Sequence, residues 1–150
     1  MLGAISGAVA GLVAITPASG FVLPGPALGI GLVAGMVCFW TATTMKMRFR
    51  YDDSLDAFGV HGIGGIIGML ATGWFAFGPL SATQALPDGV FAGGAHLFAV
   101  QAIAVAATIV CCTVVSWALL RITDAVAGLR VTTEEERERL DIVLHGEQVF

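Results

Sequence analysis

One histidine stands apart from its surroundings. His61 lies in the run Asp52-Asp53-Ser54-Leu55-Asp56-Ala57-Phe58-Gly59-Val60-His61-Gly62-Ile63-Gly64-Gly65, inside a stretch with no Asp, Glu, Lys or Arg from residue 57 to residue 87. A neutral imidazole carries one donor and one acceptor, so it can hand a proton on or bridge two polar partners. On helical spacing Gly65, Gly68 and Thr72 share its face, which leaves a narrow, unhindered surface for a small solute or a neighbouring backbone. The competing account is a histidine bonded to another helix purely for structure. Asp52, Asp53 and Asp56 precede the apolar run. Carboxylates at a helix start accept free amide hydrogens and complement the helix dipole. Capping is the favoured account; a negative vestibule that attracts cations is the second, and both roles can hold together.

Other polar groups within the apolar stretches include Thr72, His96, Gln101, Thr108, Thr113 and Ser116, with Thr41, Thr43 and Thr44 beside them. The hydroxyls can bond back to their own helix carbonyls, and Gln101 is expected to bond across a helix contact. His96 lies at the far end of its own apolar stretch, so an antiparallel arrangement separates it from His61 and excludes a shared metal or haem. Cys38, Cys111 and Cys112 have no metal-ligand spacing and read as small hydrophobes. No glycine-rich phosphate loop, nucleophile elbow or HExxH-type pair occurs. An enzyme is not expected, and neither is a cofactor.

The elements that must carry these residues follow from composition. The 150 residues are 57% hydrophobic and 12% charged, with a mean hydropathy of +0.88. Soluble chains carry about 25% charged residues. Every formal charge falls in 46–56, at Asp88 or from Arg121 onward. That distribution excludes an ordinary globular enzyme, a nucleic-acid binder and a disordered chain. It predicts an all-α integral membrane protein, since a membrane helix needs about 20 mainly apolar residues. Four spans are expected, at about 2–20, 27–45, 57–78 and 90–120, separated by Pro24-Gly25-Pro26, by the charged stretch 46–56 and by 78–89. The membrane part thus covers 1–122, and 123–150 forms a soluble tail.

Lys46, Arg48 and Arg50 lie between spans two and three, and Arg121, Arg130, Arg137 and Arg139 follow span four. With four spans these regions share one face, which the positive-inside rule makes cytoplasmic, with both termini there. Trp40, Trp74 and Trp117 each fall about a turn before the end of a span, as interfacial anchors do. Pro17 is expected to kink or end span one, with neighbouring hydroxyls covering the freed carbonyl. Gly3, Gly7 and Gly11, Gly31 and Gly35, and Gly64 and Gly68 recur every fourth residue. Such stripes let helices approach closely, on more faces than four helices can satisfy, so further helices are expected around these. In the tail, Thr132 with Glu135 or Thr133 with Glu136 fits a capping box before a short helix at about 133–140. Leu140, Ile142, Val143 and Leu144 are apolar enough to dock on the cytoplasmic face.

Three stretches resemble the ammonium transporter (Amt/Mep/Rh) family, bacterial Amt branch. They are 7–20, reading Gly-Ala-Val-Ala-Gly-Leu-Val-Ala-Ile-Thr-Pro-Ala-Ser-Gly; 52–62, reading Asp-Asp-Ser-Leu-Asp-Ala-Phe-Gly-Val-His-Gly; and Gly128-Leu129-Arg130-Val131 with the Leu-Asp…His-Gly-Glu tail. The second is highly specific, and together they cover essentially the whole chain. The family has eleven membrane helices with two inverted five-helix repeats, and it assembles as trimers with one pore per subunit. The resemblance implies that these spans correspond to the last four helices. It also implies that His61 is the second of twin pore histidines that handle protons while ammonium crosses largely as ammonia. By the same resemblance Asp56 supports helix and vestibule near the cytoplasmic mouth. The tail residues Arg139, Asp141, His145 and Gly146 would belong to a regulatory segment that can engage a PII-type signalling protein.

The partner histidine, the outer aromatic recruitment site and the phenylalanine gate belong to family helices one to six, which the chain does not contain. The expected partners are therefore ammonium or ammonia, the lipid bilayer, and a homotrimer or the missing helices. The chain alone is not expected to conduct. Arg139 stands where the family usually has glycine. The rival expectations are a non-transporting membrane subunit or remnant, and a membrane module that binds a PII-type protein through its tail. His61 also lies nearer the inner edge than a mid-pore residue should. Either the third span begins among the aspartates or the pore bends.

Overall fold

The computed structural model describes residues 2–80, 87–131 and 134. The expected tail helix and the candidate residues Arg139, Asp141, His145 and Gly146 lie outside them. Two compact units divide the chain, 1–107 and 108–150.

In the first unit, helix α1 spans Leu2–Ile15 and closes in a 3-10 turn, Thr16–Ala18. Pro17 has no N–H to continue the ladder, so the α-helix stops there. The Thr16 hydroxyl bonds back to the Leu12 carbonyl at 2.7 Å, one residue before the Val13 carbonyl whose i+4 amide Pro17 lacks. Helix α2 runs Pro24–Phe49, α-helical over Pro24–Trp40, π-helical over Thr41–Met45 and α-helical again over Lys46–Phe49. Pro24-Gly25-Pro26 is therefore the opening turn of α2 rather than a separator. The first amides of a helix have no intrahelical acceptor, so proline is tolerated there. Nor does the second helix stop at 45, since Lys46 and Arg48 lie on its last turn. Arg50, left-handed at φ 51°, ends it.

Helix α3 spans Phe58–Phe75, with a π-turn at Phe58–Gly62 followed by the α-helix Ile63–Phe75. It begins after the aspartates, not among them. Helix α4, Ala95–Ala127, starts later than expected because a 3-10 turn, Val90–Ala92, and Gly93 at φ 96° precede it. It also ends later. Trp40 and Trp117 consequently sit well inside their helices rather than a turn from the ends, while Trp74 does lie at the end of α3.

Among the described residues, α2, α3 and α4 are long and apolar enough to cross a membrane, and Gly3–Ala18 is a shorter apolar helix. The chain is an all-helical, multi-pass membrane protein. Its buried core is made mostly of small side chains. Ala14, Ala18, Ile30 and Ala34 form one cluster, against which Ile67, Ala71 and Phe75 pack; Ala10, Cys38 and Val60 form another. Lipid tails are as apolar as these residues, so the stabilisation comes from close backbone approach rather than from transfer out of water. Glycine makes that approach possible. A Cβ on Gly68 would fall on the Ala14 carbonyl oxygen, and one on Gly73 would lie 2.7 Å from Phe98 Cα. By contrast Gly3, Gly7, Gly11, Gly31 and Gly35 have nothing within 4 Å of such an atom.

At the Phe75 end of α3, the Phe77 amide donates to the Phe21 carbonyl at 2.9 Å and the Gly89 amide to the Ala76 carbonyl at 2.8 Å. Asp88 Oδ1 accepts from the Gly78 amide at 2.8 Å. In the second unit, residues 108–127 are helical and largely exposed, with Arg121 over the Trp117 ring. Gly128 at φ 73° closes the helix, and Asp124 Oδ1 accepts from the Leu129 amide.

Candidate functional site around His61

Asp53, half-buried, holds the start of α3. Its two carboxylate oxygens accept from the Ala57 and Phe58 amides, each at 2.9 Å. An acidic cap of this kind contributes about 1 kcal/mol. Asp52 is exposed. Asp56 has left-handed backbone, φ 54°, and its carbonyl accepts from the Val60 amide at 2.9 Å. For a residue other than glycine that conformation costs about 1–2 kcal/mol, although aspartate tolerates it better than most. Lys46 Nζ contacts Asp56 Oδ1 at 2.7 Å, with both side chains partly exposed. Solvent screens a pair so exposed, so it contributes little to stability.

His61 falls inside the π-turn and is exposed on this chain. Among the described residues its side chain makes no hydrogen bond. The expectation that Gly68 and Thr72 share its face does not hold. Gly68 packs on α1, and Thr72 is buried with its hydroxyl bonded to the Gly68 carbonyl at 2.8 Å. The reason is the π-turn, whose i→i+5 bonding puts an extra residue into the ladder and rotates His61 away from that seam. Gly65 still has open space around its Cα.

A second π-turn, in α2, packs against this one at Gly59. Buried Thr41 donates to the Cys38 carbonyl at 2.9 Å and approaches the Gly59 carbonyl at 3.3 Å. Tyr51 donates to the Thr41 carbonyl at 3.5 Å, and its ring meets Phe58 edge-on at a centroid distance of 5.8 Å. A cavity of about 170 Å³ borders this region, lined by Gly3, Ser6 and Gly7 of α1, Phe39 and Thr43 of α2, and Asp56 and Val60. A second, of about 210 Å³, lies between Pro17, Phe21, Thr72, Phe77, Leu97 and Gln101.

Thr43, Thr72 and Thr113 bond back to their own helices, as their chemistry predicts. Gln101 does not bond across a helix contact among the described residues; instead its Cγ lies over Gly73. His96 is exposed and belongs to none of these contacts. No group of three metal-ligating side chains forms among the described residues. The sequence reading missed Lys46, Tyr51 and the interhelical reach of Thr41. The Lys46–Asp56 pair spans a ten-residue separation across a turn, for which no periodic signal exists.

The model of the Ammonium Transporter Family matches residues 1–150. An ammonium transporter of Bacillus subtilis (strain 168) is 50% identical over 150 residues, covering all of this chain and 37% of that protein. Ammonium transporter Amt1 of Archaeoglobus fulgidus is 42% identical over 149 residues, covering 99% of this chain and 37% of that protein. The crystal structure of Saccharomyces cerevisiae Mep2 superposes with a TM-score of 0.79 at 34% identity, over 86% of this chain and 30% of that one. The chain thus spans about a third of the length of the relatives it matches.

Proposed function

Because the chain belongs to the ammonium transporter family, we propose that it forms one wall of a transmembrane pathway for ammonium or ammonia, with His61 as its pore-lining proton-handling residue. The observation that carries this reading is the placement of His61. It is an exposed imidazole without a hydrogen-bond partner among the described residues, on a π-turn held by Asp53 and Asp56, in an otherwise apolar helix. An unsatisfied imidazole in a membrane calls for a partner or a solute. An ammonium ion entering apolar surroundings loses hydration, which disfavours its charged form. A neutral imidazole beside it can accept the released proton.

The glycine stripes of α1 and α2 support a pathway completed by further helices, because their faces lie open. On this reading the protein works in the cell membrane as a transporter rather than an enzyme. The ends of its membrane part face the cytoplasm with Lys46, Arg48 and Arg50, and it assembles with the remaining family helices, as a homotrimer when complete. Asp52, Asp53 and Asp56 then stand at the cytoplasmic mouth, supporting the helix and attracting cations. The segment 123–150 is its cytoplasmic tail, a candidate contact for a PII-type protein.

The direct test is uptake of methylammonium by cells lacking their own carriers. The chain expressed alone is expected to give no saturable uptake. Saturable uptake from the chain alone would overturn the claim that further helices are required. Uptake from a completed assembly that His61→Ala left unchanged would overturn the role of His61.

A further inference from the structure

The two π-turns, Thr41–Met45 and Phe58–Gly62, face one another across the contact between α2 and α3. They meet at Gly59, where an added Cβ would lie 3.1 Å from the Ala42 backbone nitrogen. In the turn that carries His61, the Ile63 amide donates to the Phe58 carbonyl, five residues back, instead of to Gly59. The acceptor skipped by that bond is the Gly59 carbonyl, and the Thr41 hydroxyl reaches it from α2, sharing its proton with the Cys38 carbonyl. Tyr51 closes the circuit by donating to the Thr41 carbonyl while its ring rests on Phe58. Further along α2, Lys46 pairs with the side chain of Asp56, whose backbone is left-handed where α3 departs. His61 makes no hydrogen bond of its own among the described residues. Its direction is therefore set by the backbone of the turn, and the turn is held from α2 at Gly59 and at Asp56.

We propose that Thr41 and Lys46 are positioning residues that clamp this π-turn from the neighbouring helix and so fix the direction in which His61 presents its imidazole to the transported species. The inference rests on the pore-lining reading of His61, but the placement itself can be measured without transport.

The full chain, labelled with nitrogen-15 in its three histidines, is reconstituted in nanodiscs of phosphatidylcholine and phosphatidylglycerol. The His61 ring signals are identified by their loss in His61→Gln. Thr41→Val and Lys46→Met are each expected to shift those signals by more than their linewidth, leaving the His96 and His145 signals in place. Thr41→Ser and Lys46→Arg are expected to restore them. His61 signals that stay put in both Thr41→Val and Lys46→Met would overturn the proposal. So would loss of helical circular dichroism with displacement of all three histidines, because the support would then be general rather than directed at His61. If the shifts occur as expected but a completed assembly carrying His61→Ala still takes up methylammonium, the clamp stands and the pore-lining reading falls.

Discussion

At the scale of single residues, the site is a division of labour among three carboxylates that the sequence presents as equivalents. Asp53 caps two amides, Asp56 turns the chain and pairs with Lys46, and Asp52 is exposed. Their residue type announced a helix start, but which of them caps depends on the left-handed backbone at Asp56, and sequence does not report that. Asp53→Ala removes both acceptors and is expected to lower stability by about 0.5–2 kcal/mol. Asp53→Asn, which keeps one acceptor, should fall between it and the parent. Denaturant titration in mild detergent would rank the three proteins, and an alanine variant as stable as the parent would contradict the assignment.

Single elements show both the reach and the limit of reading periodicity. That Pro17 ends α1 was legible, because proline's missing donor acts locally; the expected cover of the freed carbonyl was not found, since Thr16 bonds to Leu12 instead. The faces of α3 were not. A five-residue π-turn shifts everything on one side of it relative to the other, so the stripe that joined His61 to Gly68 and Thr72 was drawn through a register change. The glycines divide by the same packing. Gly68→Ala would drive a Cβ into the Ala14 carbonyl, and Gly31→Ala would meet nothing. Overpacking of the first kind costs about 1–3 kcal/mol. Gly68→Ala is therefore expected to lower the melting temperature of the reconstituted chain, with Gly31→Ala near neutral. Equal effects would mean that α1 and α3 do not pack through this seam.

For the whole molecule, fold class was the most legible property, because no soluble surface can be built with charge confined to 46–56, Asp88 and the segment after residue 120. On the proposed topology the same distribution puts residues 46–56 on the cytoplasmic side. In a chain whose native cysteines are replaced, Ser54→Cys is expected to react with an impermeant maleimide only after the cells are opened. Labelling of intact cells would reverse the topology. What one chain could not supply is the other side of the proposed pathway, since the open faces at Gly3, Gly7 and Gly31, and His61 without a hydrogen bond among the described residues, point to contacts that these residues do not make among themselves.

That gap also defines the decisive measurement. This chain should be expressed together with the part of the Bacillus subtilis relative that it does not match, in cells without other ammonium carriers, and methylammonium uptake followed over time. Uptake is expected only when both pieces are present, and it should fall roughly a hundredfold or more with His61→Ala, the scale of losing a positioned proton-transfer group. If the two pieces assemble and carry methylammonium equally well with alanine at position 61, His61 is not the residue on which this pathway depends.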